Sequence, residues 1–240
     1  MSGAQRPTFL FDLDGTLIDS VDLILASYRH TLRIHRGIDL PPEHFRPGLG
    51  RPLVEQLALI TSDPGEVEAM VASFRDHNRE HHDRGVSAYP GVDAALLELA
   101  RGGATLGIVS SKNSATAWRG LECCGLAQHF EVLIGSDDVS QHKPHPAPVL
   151  AAMVRLDARA ATTVFIGDSP QDLEAGRRAG VRTAAAAWGP FDRAELEPQA
   201  PDVWLASPSE ILSLLDGPLN GAAVPSERRS RPPDGRTPGP

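Results

Sequence analysis

Short apolar runs alternate with helical patterns along this chain, and that alternation constrains its fold more than any other feature. Thr8 to Asp12, Ala104 to Ser110, Glu131 to Gly135, Thr162 to Gly167 and Val181 to Ala187 are apolar stretches bounded by polar or glycine residues, with Asp202 to Ala206 a weaker sixth. Runs of this length and punctuation read as buried strands. Between them Gly91 to Arg101, Ser114 to Cys124, Pro146 to Leu156, Ser169 to Ala179 and Ser207 to Leu215 each fit a helix, several with serine or proline at the start and glycine just beyond the end. Strands that alternate with helices specify an α/β fold: a Rossmann-like parallel sheet with helices on both faces.

Leu17 to Ala88 breaks the alternation and reads as helices with no intervening strand. Val21, Ile24, Leu25, Tyr28 and Leu32 follow the spacing of an apolar helix face, and Leu53 to Ile60 and Glu66 to His82 look like further helices. The expected organisation is an α/β core from residues 1–16 and 89–216, with a small α-helical cap, residues 17–88, inserted after the first strand. Residues 217–240, rich in proline, glycine and arginine, are expected to be a disordered tail. Ligands of open α/β sheets bind beside the carboxyl ends of the strands, so an insertion at this point is placed to act as a lid.

Other classes are excluded by what the chain lacks. No apolar stretch approaches the roughly 18 to 20 residues that span a bilayer, and Met1 to Pro7 has neither a hydrophobic run nor a small-residue cleavage site. A cytoplasmic protein with no membrane partner is expected, as a monomer or homodimer. The two cysteines, Cys123 and Cys124, are neighbours and cannot staple distant segments, so they are expected as small core residues. A net charge of -8 argues against a nucleic-acid partner. Of 23 basic residues all but Lys112 and Lys143 are arginine, which marks both lysines as candidates for a site that needs a compact ammonium.

Chemistry concentrates at the ends of the strands. Asp12-Leu-Asp14-Gly-Thr16 follows the first strand, and aspartates two apart in extended chain point the same way; one can attack while the other carries a proton. An Asp-Gly turn is the plainer reading of the same string. Val164-Phe-Ile-Gly-Asp168-Ser-Pro-Gln-Asp172 repeats the arrangement and brings Asp168 to the same edge. Carboxylates that close together call for a cation, and oxygen ligands suit magnesium; capping of the next helix is again the plainer alternative. Ser110-Ser-Lys112 and His142-Lys143-Pro-His-Pro146 add a hydroxyl at a strand end and ammonium groups, as a phosphoryl-transfer site requires.

Those four spaced motifs, over nearly all of residues 8 to 215, resemble a phosphatase of the haloacid dehalogenase superfamily. The resemblance implies Asp12 as nucleophile, forming an aspartyl-phosphate, and Asp14 as general acid and base. It implies that Thr16, Ser110 and Ser111 contact the phosphoryl group and that Lys143 offsets the charge of nucleophile and phosphate. Magnesium (Mg2+) would be held by Asp12, the Asp14 carbonyl and Asp168, with Asp172 supporting the metal or Lys143 from behind. Asp14 must be protonated when the leaving group departs and ionised when water attacks, which requires its pKa to stand above that of Asp12. Ser111 stands where relatives often have asparagine.

Within the superfamily the second aspartate, Asp14, favours phosphatases and phosphomutases over dehalogenases. Asp19-Ser20, the turn from Gly48 to Leu53 and the Lys-Pro-His-Pro string resemble the phosphoglycolate phosphatase and PpaX-type pyrophosphatase branch. That similarity implies a small phosphorylated metabolite as substrate, 2-phosphoglycolate first and inorganic pyrophosphate second, with Arg51 reaching a substrate carboxylate or second phosphate. A sugar phosphomutase resembling β-phosphoglucomutase shares the same core residues. Two further readings stand apart: a zinc metallopeptidase, because His77-Asn-Arg-Glu80-His81 fits the H-x-x-E-H pattern, and a regulatory protein without catalysis.

Overall fold

Thr8 to Phe11 are buried without exception, and the sheet is built around the strand they form. The computed structural model of the chain describes residues 6–215; the expected tail, 217–240, lies outside them. The chain runs through β1 (Thr8–Phe11), β2 (Ile18–Asp19), α1 (Val21–Arg36), α2 (Leu53–Leu57), α3 (Pro64–Gly85) and β3 (Ser87–Ala88). It then alternates through α4 (Val92–Arg101), β4 (Thr105–Val109), α5 (Ser114–Cys123), β5 (Val132–Ile134) and α6 (Ala147–Arg155). β6 (Thr163–Gly167), α7 (Pro170–Ala179), β7 (Arg182–Ala186), α8 (Arg193–Leu196) and β8 (Val203–Leu205) complete it.

Six strands form one sheet in the order β5-β4-β1-β6-β7-β8, with every pair parallel. Side chains alternate across it. Phe9 and Phe11 of β1 pack with Leu96 and Leu99 of α4 and Leu121 of α5, while Leu10 packs with Val149 and Met153 of α6 and Ala175 of α7. The period of two thus sends successive residues to opposite helical layers. Successive strands step outward from β1 through β4 to β5, then restart on its other side at β6. The crevice of such a sheet opens where the order reverses, at the carboxyl ends of β1 and β6, and the next residues there are Asp12 and Asp168.

The three helices between β2 and β3 hold a core of their own, with Tyr28, Leu32, Leu57, Met70 and Phe74 packed together. Leu25 of α1 and Leu49 join Leu173 of α7, Ala185, Phe191 and Leu196 in a separate cluster that seats this layer on the α/β body. Between α1 and α2, Pro42–Gly48 form a 3-10 segment.

Four local expectations are corrected. The insertion is not wholly helical, because β2 pairs antiparallel with β3, Ile18 opposite Ala88 and Asp19 opposite Ser87; two-residue strands are too short to leave a periodic signal. α2 stops at Leu57 rather than Ile60, its end tightened by a Leu59 N–H to Gln56 carbonyl bond. Ser207 to Leu215 winds as a 3-10 helix, Pro208–Leu214, whose near-eclipsed i and i+3 positions put Ile211 and Leu214 together in the core. Cys123 is exposed and Cys124 half-buried, since α5 turns Ala117, Gly120 and Leu121 inward instead.

Candidate active site

The turn after β1 owes its shape to Gly15. Its φ is +86°, a region open to glycine, and a Cβ there would stand 2.5 Å from Asp168 Oδ2. The close approach brings the turn from β1 against the residue that ends β6. Asp12, Asp168 and Asp172 each place a carboxylate oxygen within 4.8 Å of the others, all three buried.

One ammonium faces this cluster from below. Lys143 Nζ lies 2.8 Å from Asp12 Oδ1 and 2.6 Å from Asp172 Oδ1, and donates to the Val109 carbonyl at 3.1 Å. Burial works against its charge, but the two carboxylates outweigh that and hold its pKa well above the ordinary lysine value. Burial and the Asp172 charge push the Asp12 carboxyl up to about 7 against the pull of Lys143. Burial, Asp172 and Asp12 likewise raise Asp168. A buried site short of positive charge fits a hard divalent cation. Asp12 and Asp168 give one oxygen each to Lys143 and Thr16, leaving the second oxygen of each for such an ion. Asp172 has both oxygens engaged, Oδ1 by Lys143 and Oδ2 by the Ser169 N–H and hydroxyl in a capping box. It orients Lys143 and starts α7, combining the capping and supporting roles.

Asp14 meets the Lys112 ammonium and the Ser20 hydroxyl, both on Oδ1. Thr16 is fully buried and donates to Asp168 Oδ1 at 2.6 Å, so it steadies that carboxylate rather than a substrate. Ser110 is buried too, its hydroxyl accepting from the Lys112 N–H at 3.1 Å.

Above the carboxylates lies a cavity of about 740 Å³, walled by Asp12, Asp14, Lys112 and Asp168 below and by the helical insertion above. Ser111 lines it and donates to the Gly50 carbonyl at 2.8 Å, joining the sheet edge to the turn before α2. Arg51 projects from that turn into the wall, exposed, with no side-chain partner among the described residues. One lining group carries no sequence signal of its own: His82, buried with Nε2 unbonded among the described residues, sits inside an ordinary helical stretch. His77 and His81 do not reach the cavity, and the only cluster of at least three potential metal-ligating His, Cys, Asp or Glu side chains among the described residues is the three aspartates.

The model of the haloacid dehalogenase-like hydrolase family matches residues 9–186. A relative in Oceanobacillus iheyensis, named pyrophosphatase PpaX, is 39% identical over 208 residues, covering 87% of this chain and 96% of that protein. Among solved structures, a hydrolase of Pseudomonas syringae shares 26% identity with a TM-score of 0.79, over 88% of this chain and 98% of that one. A candidate phosphoglycolate phosphatase of Lactobacillus plantarum shares 25% with a TM-score of 0.79, over 88% and 100%. With the family's match running from β1 through the acidic end of β6 to β7, the chain belongs to the haloacid dehalogenase-like hydrolases, on the phosphatase side that includes PpaX and phosphoglycolate phosphatase.

Proposed function

We propose that the chain is a magnesium-dependent phosphatase that hydrolyses a small phosphorylated metabolite through an aspartyl-phosphate on Asp12. The observation that carries this reading is the buried meeting of Asp12, Lys143 and Asp168 beneath the cavity. Asp12 and Asp168, with the Asp14 backbone carbonyl, would hold magnesium, which when bound neutralises phosphoryl oxygens and lets Asp12 work as an anion. Asp12 attacks phosphorus as the bond to the leaving group breaks, and Asp14 gives that group its proton. Asp14 then takes a proton from water as the water oxygen attacks phosphorus, releasing phosphate and restoring Asp12. Lys143 offsets charge throughout, where positioning and electrostatics supply most of the catalysis. The helices of residues 17–88 act as a cap that excludes water.

For the substrate, inorganic pyrophosphate moves ahead of 2-phosphoglycolate. Its support is the name carried by the 39% identical relative, together with two cations, Lys112 and Arg51, that line the cavity and suit a second anionic group. The test is phosphate release from pyrophosphate, 2-phosphoglycolate, sugar phosphates and an aryl phosphate, with and without magnesium, beside Asp12→Asn. Magnesium-dependent release that the variant loses is expected. Near wild-type turnover by Asp12→Asn would overturn the nucleophile, and interconversion of sugar phosphates without release would favour the mutase.

A further inference from the structure

The cavity carries more positive charge than a second phosphate uses. On α3, Arg75, Asn78, Arg79 and His82 stand at i, i+3, i+4 and i+7, one face of the helix, and all four line the cavity. Met70 and Val71 turn instead into the insertion's own core. On the sheet side Lys112, Thr116 and Arg119 line the same space, the last two a turn apart on α5. The two walls touch, because Arg119 Nη1 donates to the Arg79 carbonyl at 3.4 Å and its Nη2 lies 3.0 Å from Asp83 Oδ1 at the foot of α3. Apart from the aspartates at the base, the acidic lining residues are Glu55 and Asp137, against Lys112, Arg51, Arg75, Arg79 and Arg119. Asp76 and Asp83, which pair with Arg79 and Arg119, lie outside the lining. Exposed ion pairs of that kind are weak, and each guanidinium has donors to spare. Arg75 is exposed and meets no carboxylate among the described residues.

We propose that the chain also removes the terminal phosphoryl group of a linear polyphosphate at least three phosphoryl groups long, with Arg75 and Arg79 binding the chain beyond the leaving phosphate. The proposal rests on the phosphatase reading above. Lys112 sits on Asp14, the residue that serves the leaving group, so the cationic surface begins where that group departs. Pyrophosphate places a single phosphate there, for Lys112 and Arg51, and leaves Arg75 and Arg79 with nothing to bind. A longer chain supplies their partner, and guanidinium forks suit phosphate oxygens. The space agrees, since about 740 Å³ falls among pockets that take ligands much larger than pyrophosphate, roughly 300–1,000 Å³. In the reaction Asp12 bonds to the terminal phosphorus as the bridging P–O bond breaks. Its electron pair leaves with the shortened chain, which takes the proton of Asp14. Water then releases phosphate from Asp12 and returns a proton to Asp14, and pyrophosphate, when it is the product, is a substrate in its turn.

The test is steady-state phosphate release from tripolyphosphate and from pyrophosphate at fixed free magnesium, by the full chain and by Arg75→Met. Arg75 is exposed, so the variant keeps its fold. The expected KM for tripolyphosphate is about tenfold below that for pyrophosphate, and Arg75→Met should erase most of that ratio. A merely structural role for Arg75 would shift both substrates alike. Adenosine triphosphate, run alongside, tells whether the chain is read free or carried on a nucleoside; a KM below that of pyrophosphate for either compound supports the proposal. A KM no lower than that of pyrophosphate for both, or a loss in Arg75→Met that falls equally on all three, would overturn it. Hydrolysis of pyrophosphate without hydrolysis of the longer chains would sink this proposal alone, whereas no magnesium-dependent release from any phosphate compound would take the phosphatase reading with it.

Discussion

Burying Asp12 against Asp172 raises its carboxyl further than Lys143 pulls it down, and the value of about 7 fixes a sign. Because the folded value stands above the unfolded 3.8, the folded state holds an extra proton between about pH 4 and pH 7, and the metal-free protein should lose stability as pH climbs through that window. Magnesium should reverse the loss, so the rise in melting temperature that it produces should grow from about pH 5 to pH 8; a pH-independent rise would count against Asp12 as a ligand. Replacing Lys143 by methionine leaves two buried carboxylates without their counter-ion and should cost about 3–5 kcal/mol at pH 8, read as a lower urea midpoint at constant slope. Asp12 and Asp168 were legible beforehand because each follows a strand, and parallel strands bring their ends to one edge. The grip of Lys112 and Ser20 on Asp14 was not, since it depends on the path of two loops, and Thr16 could not be assigned to Asp168 without the approach that Gly15 allows.

At the scale of elements, the turn before α2 decides how the insertion meets the sheet. Gly50 has a φ of +83°, and a Cβ there would lie 2.9 Å from Ser169 Oγ, while its carbonyl takes the Ser111 hydroxyl. Gly37, which ends α1 at φ +65°, has nothing within 4 Å of a Cβ. Both alanine substitutions pay roughly 1–2 kcal/mol for a left-handed backbone, but only Gly50→Ala should displace the turn, lowering kcat/KM by about tenfold or more. Parallel kinetics on the two proteins separate the causes: equal losses would show that strain alone matters. The strands and longer helices were readable from their periods. β2, β3 and the 3-10 turn over Pro208–Leu214 were not, because two residues or a single tight turn carry too little pattern to tell from a loop.

Across the whole molecule, a net charge of -8 opposes the approach of an anionic substrate, while Arg51, Arg75, Arg79, Arg119 and Lys112 line the cavity. If the local field governs capture, kcat/KM for pyrophosphate should fall as salt is raised, with a shallower slope in Arg51→Met. A rise with salt would mean that the overall charge dominates. The α/β class was plain from alternation alone. The cavity was not, because it exists only once Leu25 and Leu49 seat the insertion on Leu173 and Phe191, contacts that no local pattern encodes. The pairing of Ile18 with Ala88 also means that the inserted helices leave the body where they entered it. The 67 residues from 20 to 86, which help to wall the cavity, are thus spliced in through a doorway two residue pairs wide. Evolution, or an engineer, can exchange that cassette for another with matching ends, and retarget the enzyme without redrawing the sheet that does its chemistry.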